Sequence, residues 1–274
     1  MPGHYLPHRP VIKSSSATTK VRPVFEASFK HPWYASLNEC LSVGPSLLEQ
    51  IPPLLLRFRT GAIGVIADIK QAFLQLTVKP EDRDYLRFLW WNTEDKSNLE
   101  FFRHCRVVGG TSSPFLLNAS IRHHLNSAEF QLESLQQTIE KLKKGFYVDN
   151  LTISVENQEE LVKFKTQTKG IMKAATFELR CWAHTGVQDQ ESQNVLGLKW
   201  DTETDELYCV SPETDIGFNE NISKRKLLSI VNSIYDPIGF TSPATLLPKL
   251  LLQEAWRNKL DWDEDLPSDL QLRY

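Results

Sequence analysis

The sequence predicts an α+β protein, because segments with the pattern of β-hairpins occur between segments with the pattern of amphipathic helices. Residues 145–154 place aromatic and β-branched residues on either side of a short polar tip, which is typical of two strands joined by a tight turn. Residues 85–91 and 99–108 are rich in Phe, Trp, Tyr and Leu, and the polar loop between them predicts a second hairpin. Residues 157–160 resemble a capping box that opens a helix with one apolar face.

Length and composition allow one or two domains with a large core. The chain has 274 residues, of which 41% are hydrophobic. Its 31 Lys and Arg residues and 34 Asp and Glu residues give a formal net charge of −3, which argues against a generally basic nucleic-acid coat. Any nucleic-acid surface must therefore be a local groove. The clearest basic bias lies near the N-terminus, at Arg9, Lys13, Lys20, Arg22 and Lys30.

The cysteine pattern argues against a zinc ribbon and against a disulfide framework. The four cysteines are scattered without a Cys-x-x-Cys pair: Cys40, Cys105, Cys181 and Cys209. A reducing compartment is the simpler inference, so we expect an intracellular, cytoplasmic location. The sequence contains no signal-peptide core and no apolar run long enough to cross a bilayer, so we expect no membrane partner.

The N-terminal part of the chain is predicted to be mostly extended. Residues 1–20 are polar and contain prolines, which predicts an extended arm, and residues 21–29 predict a strand. An apolar stripe over residues 47–51 predicts a helix that Pro52–Pro53 interrupts, because proline lacks a backbone donor and disfavours helix in the residue before it. A second short helix is expected over residues 54–59.

An apolar strand over residues 65–67 ends at Asp68, the first candidate functional residue. An aspartate there is either a helix cap or a metal ligand, and this segment alone slightly favours the cap. The hairpin at 145–154 presents Asp149 at its tip, and an acidic residue displayed beside the end of another strand can assemble a divalent-metal site. A solvent-exposed turn is the simpler interpretation of the hairpin alone. Phe73, which follows Asp68, is more often a core residue than a functional one.

The C-terminal half alternates helices with short strands. Gly109 and Gly110 form a turn before a helix that starts at Pro114; such a turn can approach phosphates or bases, although a plain loop is the commoner explanation. Further strands are predicted over residues 177–182, 194–200 and 207–210. Helices are predicted over residues 130–144, 223–235 and 242–256.

Several ordered motifs resemble those of reverse transcriptases, and most closely the polymerase region of Bel/Pao-type LTR retrotransposons. The resemblance covers nearly the whole chain. The stretches that carry it are 20–28, 36–41, 55–59, 67–69, 111–119, 146–149, 196–201 and 236–240.

The resemblance implies a right-hand polymerase fold of fingers, palm and thumb. By this comparison, residues 1–60 and 77–106 are the fingers and residues 61–76 and 107–210 are the palm. Residues 211–274 are a helical segment like the thumb or connection. The implied chemistry is nucleotidyl transfer with two divalent ions, Mg²⁺ or Mn²⁺, on an RNA or DNA template with a primer and deoxynucleoside triphosphates.

The resemblance also assigns roles to single residues. Asp68 and Asp149 match the palm aspartates that bind metal, and the backbone carbonyl of Ile69 adds a ligand. Phe73 matches the aromatic residue beneath the sugar that excludes a ribose 2′-hydroxyl. The implied triphosphate and nucleotide contacts are Lys13, Arg22, Gly109 and Gly110. The implied primer grip is Leu196, Gly197, Leu198, Lys199 and Trp200.

Three positions depart from the family pattern. Asn150 stands where the family has a second hairpin aspartate, Gly109 where a larger residue faces the nucleotide, and Cys181 where a lysine follows Leu-Arg. The chain also lacks the family's protease, RNase H and integrase, so we expect a piece of a polyprotein with those domains as partners. Two hypotheses follow: a reverse transcriptase impaired by Asn150, or a decayed or co-opted protein that binds nucleic acid without polymerising.

Overall fold

The computed structural model describes residues 4–12, 14, 20–92, 96, 98–187, 192–210 and 222–271, and shows a mixed α/β protein with several small antiparallel sheets. The strands are β1 (His8–Ile12), β2 (Val21–Phe25), β3 (Ile63–Ile69), β4 (Arg87–Trp91), β5 (Leu99–Arg103), β6 (Phe146–Tyr147), β7 (Asn150–Val155), β8 (Leu179–His184), β9 (Gln193–Val195), β10 (Leu198–Asp201) and β11 (Glu206–Tyr208). The α-helices are α1 (Leu37–Cys40), α2 (Ile51–Phe58), α3 (Ser113–Leu125), α4 (Gln136–Gly145), α5 (Gln158–Ala174), α6 (Lys224–Ser233), α7 (Ser242–Arg257) and α8 (Ser268–Gln271).

The main sheet has four strands in the order β6-β7-β3-β8, and each neighbouring pair is antiparallel. β3 suits a central position because its Val, Ile and Ala side chains pack well on a pleated surface that is covered on both sides. One face of the sheet, which includes Val65, Ala67, Leu151 and Ile153, packs in one core with α3, α4 and α5. The predicted strand that ends at Asp68 and the predicted hairpin of residues 145–154 are therefore both in this sheet.

The opposite face of the sheet is covered over part of its length. Ile66 and Ala183 pack against α2 and against a small sheet with the order β11-β10-β9. Trp200 is completely buried there, and its ring lies edge-on to Phe58 with the ring centroids 4.9 Å apart. Because residues alternate between faces along a strand, Asp68 shares this face with Ile66, beyond the edge of that covering.

Part of the N-terminal segment, for which the sequence predicts an extended arm, forms a paired strand. Residues 8–12 form β1, which pairs with β2 in a two-stranded sheet instead of remaining an unpaired arm. Pro10 and Pro23 lie directly opposite each other, a position that proline tolerates in a two-stranded hairpin because its missing donor can face outwards. β4 and β5 form the predicted second hairpin.

The prediction that Pro52–Pro53 interrupts a helix was wrong. Residues 42–50 contain no helix, and α2 starts at Ile51 with both prolines in its first turn. Proline is favoured there because the first backbone N–H groups of a helix have no intrahelical partner. The prolines therefore begin the helix that covers the sheet, and its residues Leu55 and Phe58 are buried.

The C-terminal segment has its own core. α6, α7 and α8 enclose a cluster that includes Leu227, Leu251, Leu266 and Leu270. Ser223 caps α6 by accepting a hydrogen bond from the backbone N–H of Lys226. Within the described ranges, no helix has the length and apolar character needed to span a membrane.

Candidate active site

Asp68 lies in a row of three polar side chains that crosses the main sheet. Its Cα partner on β7 is Asn150, and its Cα partner on β8 is Arg180. Residues that pair directly across a sheet point to the same face, so the amide, the carboxylate and the guanidinium lie side by side. The prediction that Asp68 ends a strand is confirmed, and the helix-cap alternative is wrong, because Gln71 occupies the N-cap position of the next helical turn, Ala72–Gln75.

An irregularity in β8 brings Arg180 to this position. The pairing of β3 with β8 shifts by one residue between Ile66 and Asp68, which is the signature of a β-bulge. Cys181, next to Arg180, has a left-handed backbone with φ of 52°. The Nε atom of Arg180 donates to Oδ2 of Asp68 at 3.0 Å, and both side chains are about three-quarters buried, at 24% and 28% exposure. Sequence reasoning missed this contact.

Asp149 lies in the turn between β6 and β7, next to the end of β3. The backbone N–H of Ile69 donates to the carbonyl oxygen of Asp149 at 3.0 Å, which joins the turn to the end of β3. The side chain of Asn150 donates to Oδ1 of Asp149 at 3.2 Å. Burial raises the pKa of Asp149, the nearby Asp68 carboxylate raises it further, and the positive charge of Arg180 acts in the opposite direction. The two aspartates are thus close enough to repel each other.

The left-handed residue of this turn is Val148, not Asp149 or Asn150. Asx residues tolerate left-handed angles better than a β-branched residue does, yet Val148 has φ of 56° and Asn150 already belongs to β7. A β-branched residue with positive φ is a true outlier, and such outliers cluster at functional sites because the surrounding structure must enforce them. Here the bond from Ile69 to Asp149 and the pairing of Asn150 with Asp68 hold the turn in place.

The donor set at this site suits a hard divalent cation. It has two carboxylates, those of Asp68 and Asp149, and Mg²⁺ is commonly held by one or two carboxylates together with water and substrate phosphates. Within the described part of the chain, no group of three or more His, Cys, Asp or Glu side chains forms a complete metal cage. Two carboxylates fit an ion whose other ligands are water or phosphate oxygens.

The predicted nucleotide contacts lie in different environments. Phe73 is half-buried and packs against the main core, in the turn that follows β3. Arg22 is exposed on β2, opposite Val11, and Lys13 lies outside the described residues. Gly110 donates its backbone N–H to Oγ of Ser113 at 2.9 Å. A Cβ atom at Gly109 would meet nothing within 4 Å, so the space for a larger residue exists.

The predicted primer grip is a tight hairpin between two strands, not part of one continuous strand. Leu196 and Gly197 have φ of 50° and 92° and form the turn between β9 and β10, as two-residue hairpin turns require. A side chain at Gly197 would collide with the ring of Tyr235. Leu198 and Trp200 are buried, whereas Lys199 is half-buried and Gly197 is exposed. Any contact with a ligand must therefore come from the tip and from Lys199.

Comparisons with known proteins connect the chain to retroelement polyproteins. A family model described as a Pao retrotransposon-like RNaseH-like domain matches residues 223–274, which include α6, α7 and α8. This match runs against the expectation that the chain carries no part of the family's RNase H. No curated protein matches the chain. Two of the similar solved structures are foamy viral protease–reverse transcriptases, one in complex with double-stranded DNA and one with an RNA/DNA hybrid.

The structural likeness covers almost the whole chain. The TM-scores are 0.61 and 0.60, with 16% and 15% sequence identity, and each match covers 98% of this chain. The matches cover 42% and 32% of the foamy viral chains, so this chain spans less than half the length of each. The likeness therefore gives the fold, which is that of a segment within foamy viral protease–reverse transcriptase chains.

Proposed function

We propose that this chain is the reverse transcriptase region of a retroelement polyprotein and that it performs template-directed DNA synthesis slowly, because Asn150 replaces a catalytic carboxylate. The observation that carries the proposal is that Asp149 lies beside Asp68: Asp68 pairs with Asn150 across the sheet, and the backbone N–H of Ile69 donates to the carbonyl oxygen of Asp149. In this proposal, residues 1–60 and 77–106 are fingers, residues 61–76 and 107–210 are palm, and residues 211–274 are a thumb or connection segment. The whole has a right-hand polymerase fold.

The proposed site uses the side chains at the end of β3. Asp68 and Asp149, with the carbonyl of Ile69, would hold two Mg²⁺ or Mn²⁺ ions together with substrate phosphates. Two such ions about 3.5–4 Å apart can clamp the attacking and leaving oxygens of an in-line displacement. Arg22 and Lys13 would bind the triphosphate, because Arg and Lys offset phosphate charge. Phe73 would lie beneath the sugar and exclude ribonucleotides.

Other groups would orient the substrates. Gly109 and Gly110 would let the backbone approach the nucleotide, and the primer grip, Leu196–Trp200, would position the primer strand. The partners are then an RNA or DNA template with its primer, deoxynucleoside triphosphates and other domains of the polyprotein, inside the cell. The foamy viral structures, which hold DNA or an RNA/DNA hybrid, support a nucleic-acid partner.

Asn150 accounts for the expected impairment. Replacing a carboxylate by an amide removes one negative charge beside the divalent cations. At ~4 Å and an effective dielectric of ~20, one unit-charge pair amounts to roughly 4 kcal/mol. Even a fraction of that energy changes a rate by orders of magnitude, at ~1.4 kcal/mol per factor of ten. The amide oxygen remains a weak ligand, so folding and nucleic-acid binding should survive.

The first prediction follows from this charge deficit. Asn150→Asp should increase primer extension by at least about tenfold with Mg²⁺ or Mn²⁺, since it restores a carboxylate at the ion site. Primer extension on RNA and DNA templates measures the change. Asn232→Asp, which adds the same charge on the exposed face of α6, is the matched control and should leave extension unchanged. If the natural protein already extends primers as fast as Asn150→Asp, then Asn150 does not occupy the catalytic position.

A second candidate function is nucleic-acid binding without polymerisation. It is favoured by the ion pair between Arg180 and Asp68, which together with Asn150 leaves the site with a formal charge of only −1. Under this alternative, the protein and Asn150→Asp bind a primer–template with equal affinity in fluorescence anisotropy, and neither extends it. Extension by Asn150→Asp alone would favour the polymerase proposal.

A further inference from the structure

Arg180 occupies the carboxylate that the proposed function assigns to a metal ion. Its Nε atom lies 3.0 Å from Oδ2 of Asp68. The other nearby cation, Lys70, is held by Glu178 at 2.9 Å, and the backbone N–H of Lys70 donates to the carbonyl of Glu178. Arg180 is therefore the cation bound to the Asp68 carboxylate.

We infer that Arg180 is an exchangeable cation of the site: it neutralises Asp68 in the free protein and binds a phosphate group of the substrate when a divalent ion takes Asp68. The inference rests on the proposed function, since it assumes a metal site at Asp68 and Asp149. It assigns a phosphate-binding role to a residue to which the sequence analysis gave no role.

The chemistry of the side chain supports an exchange of partners. A guanidinium stays protonated at all relevant pH values, and its planar fork fits both carboxylate and phosphate oxygens. The contact with Asp68 uses Nε alone, and Nη1 and Nη2 make no hydrogen bond to any described residue. A divalent ion outcompetes one monovalent charge for the carboxylate, and the released guanidinium needs a new anion nearby. The phosphate that accompanies the ion supplies that anion.

The backbone holds Arg180 at this position whichever partner it binds. The β-bulge and the left-handed Cys181 fix the Cα of Arg180 opposite Asp68, so only the side chain has to turn. Binding of the divalent ion and binding of phosphate should then be coupled, because either one breaks the ion pair between Arg180 and Asp68 and so frees the group that the other binds. Without phosphate, the ion must displace Arg180 from Asp68, and the guanidinium gains no new anionic partner.

The inference is tested by measuring Mn²⁺ affinity, which does not depend on polymerisation. Electron paramagnetic resonance of free Mn²⁺ is recorded with the full chain, alone and with inorganic phosphate, and a protein-free sample corrects for Mn²⁺–phosphate complexes. Arg180→Gln should bind Mn²⁺ alone about tenfold more tightly than the natural protein, which corresponds to ~1.4 kcal/mol. Phosphate should tighten Mn²⁺ binding in the natural protein and have less effect in Arg180→Gln.

Two variants control for trivial causes. Lys70→Gln removes one positive charge two residues from Asp68, but one that is already paired with Glu178, so it should change Mn²⁺ affinity much less. Arg180→Lys keeps the charge but loses the fork, and should give an affinity between those of the natural protein and Arg180→Gln. It also serves as the test variant if Arg180→Gln does not fold.

The outcomes separate the inference from the proposed function. If Arg180→Gln and the natural protein bind Mn²⁺ equally, or if Lys70→Gln matches Arg180→Gln, the exchange role is overturned while the metal site stands. If Mn²⁺ binds in none of these variants, or if Asp68→Asn leaves binding unchanged, both the inference and the metal centre of the proposed function are overturned. Tighter binding in Arg180→Gln alone, with weaker coupling to phosphate, supports the inference.

Discussion

Two positively charged side chains are withdrawn from water in different regions of the molecule, and their partners differ in kind. In the C-terminal segment, Lys224 is 4% exposed, and its Nζ atom lies 3.7 Å from the ring centroid of Trp256 and 4.9 Å from that of Trp262. The same atom donates to the carbonyl oxygen of Leu260 at 2.9 Å. In the main sheet, Arg180 is 24% exposed and bonds to the carboxylate of Asp68.

The difference separates a structural charge from an exchangeable one. The partners of Lys224 are π faces and a backbone carbonyl, which are neutral groups fixed by the packing of α6 and α7. Among the described residues, no carboxylate lies within hydrogen-bond distance of that ammonium group. The partner of Arg180 is a carboxylate that any other cation can also bind. Stability should therefore depend strongly on Lys224 and weakly on Arg180, and ions should affect only the second.

The largest effect is expected for Lys224→Met, which keeps the apolar stem and removes the charge. The change loses a desolvated cation–π contact of about 2 kcal/mol and leaves the carbonyl of Leu260 without its donor, at a cost of about 1–3 kcal/mol. We expect the free energy of unfolding to fall by about 3–5 kcal/mol in urea titrations, with little dependence on salt. Lys249→Met, at an exposed position of α7, should change it by less than about 0.5 kcal/mol. If Lys224→Met changes the free energy of unfolding as little as Lys249→Met does, Lys224 is not a structural charge and does not differ from Arg180 in this respect.

A smaller effect is expected for Arg180→Gln in the same measurement. Partly exposed ion pairs contribute about 1 kcal/mol or less, and the loss of Arg180 leaves Asp68 partly solvated and not fully buried. The loss of stability should therefore be about 1 kcal/mol, and added salt should reduce it because salt screens the pair. A loss as large as that of Lys224→Met, insensitive to salt, would make Arg180 a structural charge like Lys224.

The positions of the two aspartates in the fold are predictable from the sequence because strand patterns mark them. The apolar run before Asp68 and the alternation around Asp149 both follow from burial of a sheet face, which is a strong local signal. The capped start of α5 is predictable for a similar reason: Asn157 accepts the backbone N–H of Glu160 at 2.9 Å, as its position before an apolar stripe indicates.

Arg180 could not be predicted in the same way. A shift of one residue in strand register moves side chains to the other face, and the bulge that causes the shift is at a cysteine, not at a glycine or asparagine. The left-handed Val148 has the same origin, since long-range bonds from Ile69 and Asp68 enforce it against its local preference. Tertiary contacts of this kind leave no local pattern in the sequence.

The smallest effect concerns the second aspartate and depends on pH. The pKa of Asp149 is raised, above all by burial, so the folded protein binds a proton there more readily than the unfolded chain does. The contribution of Asp149 to the free energy of unfolding therefore falls as the pH rises from the unperturbed pKa of 3.8 through the pKa of the folded protein. At neutral pH the charged carboxylate destabilises the folded protein by its full amount.

Without divalent ions, Asp149→Asn should stabilise the protein at neutral pH, and the gain should vanish below about pH 4. Asp68→Asn should give no such gain, because it leaves Arg180 without its carboxylate. Urea unfolding across this pH range measures both variants. A gain for Asp149→Asn that persists in acid would assign it to packing of the amide and not to the missing charge.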